Sequence, residues 1–126
     1  MSDRPTLSGL RVLVVEDDPL IAMLIEDLLT ELGYQVVGPA ATVAEALGLI
    51  DDEAIDLALL DLNLVRGETS YRLAAPLAAR GVPFAFATGL DVLSLPDPYK
   101  SSPTLQKPFR TDQLERLLID LAASRP

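Results

Sequence analysis

The chain has 126 residues, about half of them apolar, and this length predicts one domain that buries a core without disulfide bonds. It contains no cysteine and no histidine, which excludes disulfides, thiol nucleophiles, His-based catalytic triads and metal sites built on either residue. Its net charge of −9 disfavours nucleic acid and anionic membrane surfaces as partners, and it favours a divalent cation or a basic protein partner.

In the first half of the chain, short apolar runs alternate with helical patterns. Residues 10–16 are β-branched and nearly continuously apolar, which is typical of a buried strand, and residues 34–38 repeat this pattern more briefly. Residues 19–32 carry apolar side chains at helical spacing, and the glycine that follows them is expected to end the helix. Residues 42–50 open with a Thr-x-x-Glu capping box and predict a second helix.

The second half continues the alternation with weaker helical signals. Strands are predicted over 56–61 and 82–88, and a short strand is predicted near 103–106. A helix is predicted from about 70 to 80, and its internal proline implies a kink or a late start. The proline-rich stretch after the fourth strand leaves room only for a short or disordered fourth helix. Thr111 is expected to cap the last helix.

This alternation predicts an α/β, doubly wound fold, in which a parallel five-stranded sheet carries helices on both faces. In such sheets, sites form at the carboxyl ends of the strands. The polar residues that end or follow the predicted strands are Glu16, Asp17, Asp61, Asn63, Thr88 and Lys107. We therefore expect three carboxylates, a hydroxyl and an ammonium group to share one pocket at this edge.

The chemistry of such a pocket points to a cation. Clustered carboxylates raise one another's pKa values unless a cation joins them. Their oxygens suit Mg²⁺, which binds one or two carboxylates together with waters and phosphate oxygens. An aspartate held beside Mg²⁺, a hydroxyl and a lysine is a suitable nucleophile for phosphoryl transfer, which depends mainly on positioning and charge neutralisation.

Four segments, taken together and in this order, resemble the CheY-like receiver domain of two-component response regulators. They are "VLVVEDD", "LLDLNL", "FAFATG" and "QKPF". The resemblance extends over residues 10–123 and leaves tails at residues 1–9 and 124–126. It implies a flavodoxin-like (βα)5 three-layer sandwich with strand order 2-1-3-4-5.

The same resemblance assigns roles to the residues at the strand ends. It implies that Asp61 is the phosphoacceptor, that Thr88 hydrogen-bonds the phosphoryl group and that Lys107 pairs with it. It also implies that the peptide bond between Lys107 and Pro108 is cis.

The resemblance further implies a set of Mg²⁺ ligands. Asp17 and Asp61 would bind the ion directly, and Glu16 would act mostly through water. Asn63 would contribute its backbone carbonyl.

The segment "PFAFATG" narrows the resemblance to single-domain receivers named for their "FATGUY" motif. Such receivers often work with sensor histidine kinases of the HWE/HisKA2 type. Where that motif usually has an aromatic residue after the glycine, this chain has Leu90.

The implied function is that of a single-domain response regulator. It would accept a phosphoryl group from a histidine kinase or a histidine phosphotransfer protein. Because the chain ends soon after the last predicted helix, we expect it to signal by protein contact or to serve as a phosphate shuttle or sink. It would assist only its own phosphotransfer and autodephosphorylation, and so would not be an enzyme.

Two departures from the family pattern concern loops near the site. The loop after Asp61 reads "LNLVRGE"; it lacks the usual proline four residues past the acceptor, and its glycine comes two residues early. Thr104 stands where most receivers carry a switch aromatic.

Several alternatives stay open. Asp18, followed by Pro19, is typical of a helix N-cap, and we interpret it as a cap rather than a metal ligand. A Mg²⁺-dependent phosphatase would also use a strand-end aspartate, but it would need an acid where this chain has Asn63. A phosphorylation-independent binding module that retains the pocket is the third possibility.

The sequence offers no signal for secretion or membrane insertion. The first nine residues lack the apolar core of a signal peptide, and no apolar run approaches the ~20 residues that span a bilayer. A cytoplasmic protein is therefore expected.

Overall fold

Five strands and four α-helices alternate along the part of the chain that the computed structural model describes, residues 9–64, 67–89 and 102–125. The strands are β1 (Arg11–Val15), β2 (Gln35–Ala40), β3 (Leu57–Asp61), β4 (Phe84–Thr88) and β5 (Thr104–Gln106). The helices are α1 (Pro19–Glu31), α2 (Val43–Asp52), α3 (Ala74–Ala79) and α4 (Thr111–Ala123). These elements confirm the predicted alternation, whereas the short or disordered helix predicted after β4 falls at residues 90–101, outside the described residues.

The strands form one parallel sheet in the order β2-β1-β3-β4-β5, as the resemblance implied. Because all neighbouring strands are parallel, the carboxyl ends of all five strands lie at one edge. The central strand β3 is buried along its whole length, which explains why its sequence is apolar up to the final aspartate.

The core has two halves, one on each face of the sheet. Leu13 and Val15 of β1 pack on the face covered by α2 and α3, and Val12 and Val14 pack on the face covered by α1 and α4. This division follows from the period-2 alternation of side chains along a strand. Helices on both faces hold the sheet rigid, so that residues at its carboxyl edge are positioned by the core.

Two helices begin as their sequences predict. The Asp18 carboxylate accepts hydrogen bonds from the backbone N–H groups of Leu20 and Ile21, at 2.9 and 3.3 Å, and so caps α1. The Thr42 hydroxyl accepts one from the N–H of Glu45 at 3.1 Å and so caps α2, while the Glu45 carboxylate accepts the N–H of Ala41 at 3.2 Å, one residue before the N–H that a full capping box would use. No helix in the described part of the chain is both long enough and apolar enough to cross a membrane.

The start of α3 matches the late start that its proline implied, whereas the start of α4 differs from the expectation. A short 3-10 helix, Ser70–Leu73, leads directly into α3, so that Pro76 lies in the first turn of α3, where a missing N–H does no harm. The prediction that Thr111 caps α4 was wrong, because Thr111 is already helical and Arg110 is the N-cap. The Gln113 side chain explains the shift, since its oxygen accepts the Arg110 N–H at 2.8 Å.

Candidate functional site

The carboxyl edge of the sheet brings together the polar residues that follow β1, β3 and β5. Glu16 and Asp17 directly follow β1, Asp61 ends β3, and Lys107 follows β5. Backbone hydrogen bonds hold these positions beyond the strands proper. The Glu16 N–H donates to Ala40 at 2.9 Å, and the Lys107 N–H donates to the carbonyl of Thr88 at 2.8 Å.

Three carboxylates form an acidic cluster at this edge. Glu16, Asp17 and Asp61 each offer an oxygen, and these oxygens lie within 4.8 Å of one another. Glu16 and Asp61 are buried, while Asp17 is partly exposed. Hard oxygen donors at such separations fit a divalent cation like Mg²⁺, whose ligands lie at about 2.1 Å from the ion.

Lys107 bridges two of these carboxylates. Its Nζ lies 3.0 Å from Glu16 Oε1 and 3.2 Å from Asp61 Oδ1. Burial lowers the pKa of Lys107, but hydrogen bonds and charges from both carboxylates raise it more, so the net shift is upward. The ammonium group therefore stays charged at this edge and offsets part of the carboxylate repulsion. The Lys107–Pro108 bond is cis.

Asp61 is in an unfavourable position for a negative charge. Burial first, and then the hydrogen bond and charge of Glu16, raise its pKa from 3.8 to about 7, although Lys107 opposes this shift. Without a metal, the cluster therefore holds a proton near neutral pH. A divalent cation bound at this cluster would compete with that proton for the carboxylate oxygens.

The other two predicted site residues lie beside the cluster. Thr88 is buried at the end of β4, one strand away from Asp61, where it pairs in register with Gln106. Asn63 lies two residues past Asp61, where it forms an isolated antiparallel bridge with Thr69. Asp18 is not a member of the acidic cluster.

Sequence reasoning missed two residues in the loop after β3. The carboxylate of Glu68 accepts a hydrogen bond from the N–H of Val43 at 3.0 Å and so joins this loop to α2. Ser70 is fully buried, and its hydroxyl has no hydrogen-bond partner among the described residues. The unusual spacing of "LNLVRGE" indicated that this loop differs from other receivers, but no local pattern indicated a partner on α2.

Comparison with known proteins agrees with this geometry. The family profile described as the response regulator receiver domain matches residues 12–93, from β1 past β4. The chain belongs to the response regulator receiver domain family. Receiver domains of this family are signalling domains that accept a phosphoryl group from a histidine kinase donor and bind Mg²⁺ at an acidic site.

Two solved structures with high similarity are receiver proteins. SdrG from Sphingomonas melonis Fr1 is 45% identical, with a TM-score of 0.80, and the match covers 92% of this chain and 98% of SdrG. The receiver domain of the sensor histidine kinase PA1611 from Pseudomonas aeruginosa PAO1 is 27% identical, with a TM-score of 0.78 over 92% of this chain and 99% of that domain. That structure has a magnesium ion coordinated in its active-site cleft.

Two curated relatives, MalR and PdtaR, are longer proteins. The transcriptional regulatory protein MalR from Bacillus subtilis is 31% identical over 117 residues, which cover 88% of this receiver and 49% of MalR. This receiver spans about half the length of the curated relatives it matches.

Proposed function

We propose that Asp61 of this receiver accepts a phosphoryl group from a phosphohistidine on a sensor kinase or a histidine phosphotransfer protein. One observation carries the proposal: the buried Asp61 carboxylate lies 3.2 Å from the Lys107 ammonium and within 4.8 Å of carboxylate oxygens of Glu16 and Asp17. A nucleophile, a cationic partner and an acidic cation site thus meet at the edge where parallel sheets form their sites.

In the proposed step, an Asp61 carboxylate oxygen attacks the phosphorus atom of the phosphohistidine. A P–O bond forms, the P–N bond breaks, and the histidine nitrogen leaves with the electron pair. The product is an aspartyl phosphate with added negative charge. Lys107, already in contact with Asp61, would pair with a phosphoryl oxygen, and Thr88 would donate a hydrogen bond to another.

The residues that would hold Mg²⁺ are Asp17 and Asp61 directly, Glu16 mostly through water, and Asn63 through its backbone carbonyl. The ion, when bound, would neutralise negative charge on the phosphoryl oxygens. The carboxylates of this receiver would position the ion, and its binding would release the proton that they hold without metal.

We propose a class of phosphoryl donor and two kinds of output for this receiver. The "PFAFATG" segment favours a kinase of the HWE/HisKA2 type as the donor. We propose that phosphorylated Asp61 signals through protein contacts or passes its phosphoryl group onward. Asn63 cannot serve as a general acid, which supports a phosphoacceptor rather than a phosphatase with external substrates.

Intact-mass spectrometry after incubation with acetyl phosphate or a phosphorylated kinase, with Mg²⁺, tests this proposal. We expect the wild-type protein to gain one phosphoryl group and Asp61→Asn to gain none. Asp52→Asn is a matched control, because Asp52 is an exposed aspartate at the end of α2, and it should be labelled like wild type. Equal labelling of wild type and Asp61→Asn would refute the assignment, as would labelling that persists in EDTA.

A further inference from the structure

The loop that follows the phosphoacceptor folds back on itself. We define the acceptor loop as residues 62–64 and 67–70. Within it, the Ser70 N–H donates to the Leu62 carbonyl at 3.0 Å, and the Leu64 N–H donates to the Glu68 carbonyl at 2.8 Å. Gly67 has a φ of +72°, a conformation that glycine adopts without strain.

These two hydrogen bonds determine the direction of the Asn63 carbonyl. Asn63 lies opposite Thr69, and the two hydrogen bonds join the residues on either side of this pair. Asn63 and Thr69 are therefore a non-hydrogen-bonded pair of the antiparallel ladder. In an antiparallel ladder, the N–H and C=O of such a residue point away from its partner strand. The Asn63 carbonyl is therefore left free by the ladder, two residues past Asp61.

The Glu68 side chain fixes this ladder to the rest of the molecule. Its Oε1 accepts the N–H of Val43, the first residue of α2, at 3.0 Å in a partly buried position. The first N–H groups of a helix have no partner within the helix and carry partial positive charge, so a carboxylate is a favoured acceptor there. The Glu68 backbone and side chain thus connect the acceptor loop to a rigid helix.

We propose that Glu68 is a positioning residue for the cation site, because its bond to α2 holds the acceptor loop so that the Asn63 carbonyl stays directed toward the metal. This inference rests on the proposed function, which makes that carbonyl a Mg²⁺ ligand. Glu68 does not touch the metal; it acts through the ladder of the acceptor loop. Groups that orient a metal ligand in this way usually affect metal affinity as well as local order.

The test compares Glu68→Ala with Glu68→Gln. Both variants remove the same charge, but only glutamine keeps an oxygen that can accept the Val43 N–H. The α2 N-terminus retains its Thr42–Glu45 cap in both, so both should fold, which circular dichroism verifies. Glu31→Ala, at the exposed far end of α1, serves as the matched control for loss of one glutamate.

Two readouts are needed, Mg²⁺ affinity by titration calorimetry and amide hydrogen exchange by NMR in the metal-free protein. In Glu68→Ala we expect Mg²⁺ affinity to fall by about tenfold, with faster exchange at Val43, Leu64 and Ser70. In Glu68→Gln and Glu31→Ala we expect both quantities to stay within about twofold of wild type.

The outcomes separate this inference from the function on which it rests. Unchanged Mg²⁺ affinity in Glu68→Ala overturns the positioning role even if exchange becomes faster. Equal losses in Glu68→Ala and Glu68→Gln overturn it as well, because they assign the effect to charge alone. If wild type binds no Mg²⁺, or if Asp17→Ala binds it normally, the proposed cation site fails first and this inference fails with it.

Discussion

Asp61 experiences two opposing influences, a nearby ammonium group and a buried, acidic surrounding. Without metal, burial and Glu16 prevail and raise its pKa from 3.8 to about 7. Between about pH 4 and pH 7, the folded protein therefore holds a proton that the unfolded chain has released. We expect the free energy of unfolding in EDTA to decrease as pH rises through this window, because the folded state binds the proton more tightly than the unfolded chain does.

Urea denaturation at a series of pH values measures this dependence. The Asp61→Asn substitution removes the titrating group and the repulsion, so the variant should be more stable than wild type near neutral pH. The difference between the two proteins should vanish as the pH approaches 4. Asp52→Asn, at an exposed position, should follow the wild-type curve. Parallel curves for wild type and Asp61→Asn would contradict the proposed origin of the shift.

Ser70 offers a second prediction about a single residue. Its hydroxyl is fully buried and has no hydrogen-bond partner among the described residues, which is an unfavourable position for a polar group. Ser70→Ala should therefore raise the free energy of unfolding, by about 1 kcal/mol.

Ser124 provides the matched comparison for Ser70. Its hydroxyl donates to the carbonyl of Leu121 at 2.8 Å, so Ser124→Ala should leave stability unchanged or lower it slightly. Chemical denaturation of both variants measures the change in the free energy of unfolding that each substitution causes. A clear loss of stability in Ser70→Ala would mean that the hydroxyl has a partner, such as a buried water molecule.

The sequence predicted the positions of individual site residues far better than their contacts. Glu16, Asp17, Asp61 and Lys107 meet because each stands at the end of a parallel strand, and strand ends can be read from local hydrophobicity. The bond between Glu68 and Val43 joins residues that are 25 apart in the sequence and depends on how the loop turns. No periodicity encodes such a contact, so it becomes visible only in the folded chain.

At the scale of secondary structure, the start of α1 gives neighbouring aspartates different roles. Asp18 caps the helix through two backbone N–H groups, whereas Asp17 contributes an oxygen to the acidic cluster. Asp18→Ala should lower the free energy of unfolding by about 1 kcal/mol and leave Mg²⁺ affinity nearly unchanged. Asp17→Ala should reduce Mg²⁺ affinity by more than about tenfold, the loss that removal of outer-shell groups already causes.

Calorimetric titration with Mg²⁺ and urea denaturation of both variants test this division of roles. Asp27→Ala, at an exposed position within α1, should change neither quantity much. If Asp18→Ala weakens Mg²⁺ binding as strongly as Asp17→Ala does, Asp18 is a ligand and the interpretation as a simple cap is wrong.

The helices and strands were predictable where local signals agree with tertiary packing. The Asp18 cap of α1 and the Thr42 cap of α2 each join residues only two or three positions apart, so both could be identified from the sequence alone. β2 was predicted to end at Gly38 but continues to Ala40 through a proline. Pairing with β1 determines that length, since Val15 is opposite Ala40 after a shift in register.

At the scale of the whole molecule, the acidic side chains at the two edges of the sheet have different ionic partners. At the edge opposite the site, arginines compensate the acids: Arg11 pairs with Glu53 at 2.7 Å, and Arg125 lies 3.5 Å from Asp56. At the carboxyl edge, Lys107 pairs with Glu16 and Asp61, two of the three carboxylates of the acidic cluster. The acidic cluster therefore has more carboxylates than cationic partners at the edge where a divalent cation could bind.

An apolar surface adjoins this edge and gives the last prediction. Leu20, Met23 and Leu24 lie on one face of α1, directly after the acidic cluster, and their exposed fractions are 63, 52 and 55%. A protein donor that delivers a phosphoryl group to Asp61, as proposed above, would approach this edge, and we expect it to cover these side chains. Water is then removed from apolar surface, which stabilises the complex by roughly 25 cal/mol per Å².

Substitution of this face should therefore slow transfer from a protein donor without affecting transfer from a small one. We expect Met23→Gln and Leu24→Gln to reduce the phosphotransfer rate from a kinase by about tenfold each, the factor that corresponds to ~1.4 kcal/mol. Labelling by acetyl phosphate should remain at the wild-type rate, because that donor is too small to contact α1. Ile119→Gln, on an exposed position of α4, controls for the loss of apolar surface elsewhere. Equal slowing with both donors would mean that the substitutions disturb Asp61 itself, and no slowing with the kinase would show that the donor binds without this face.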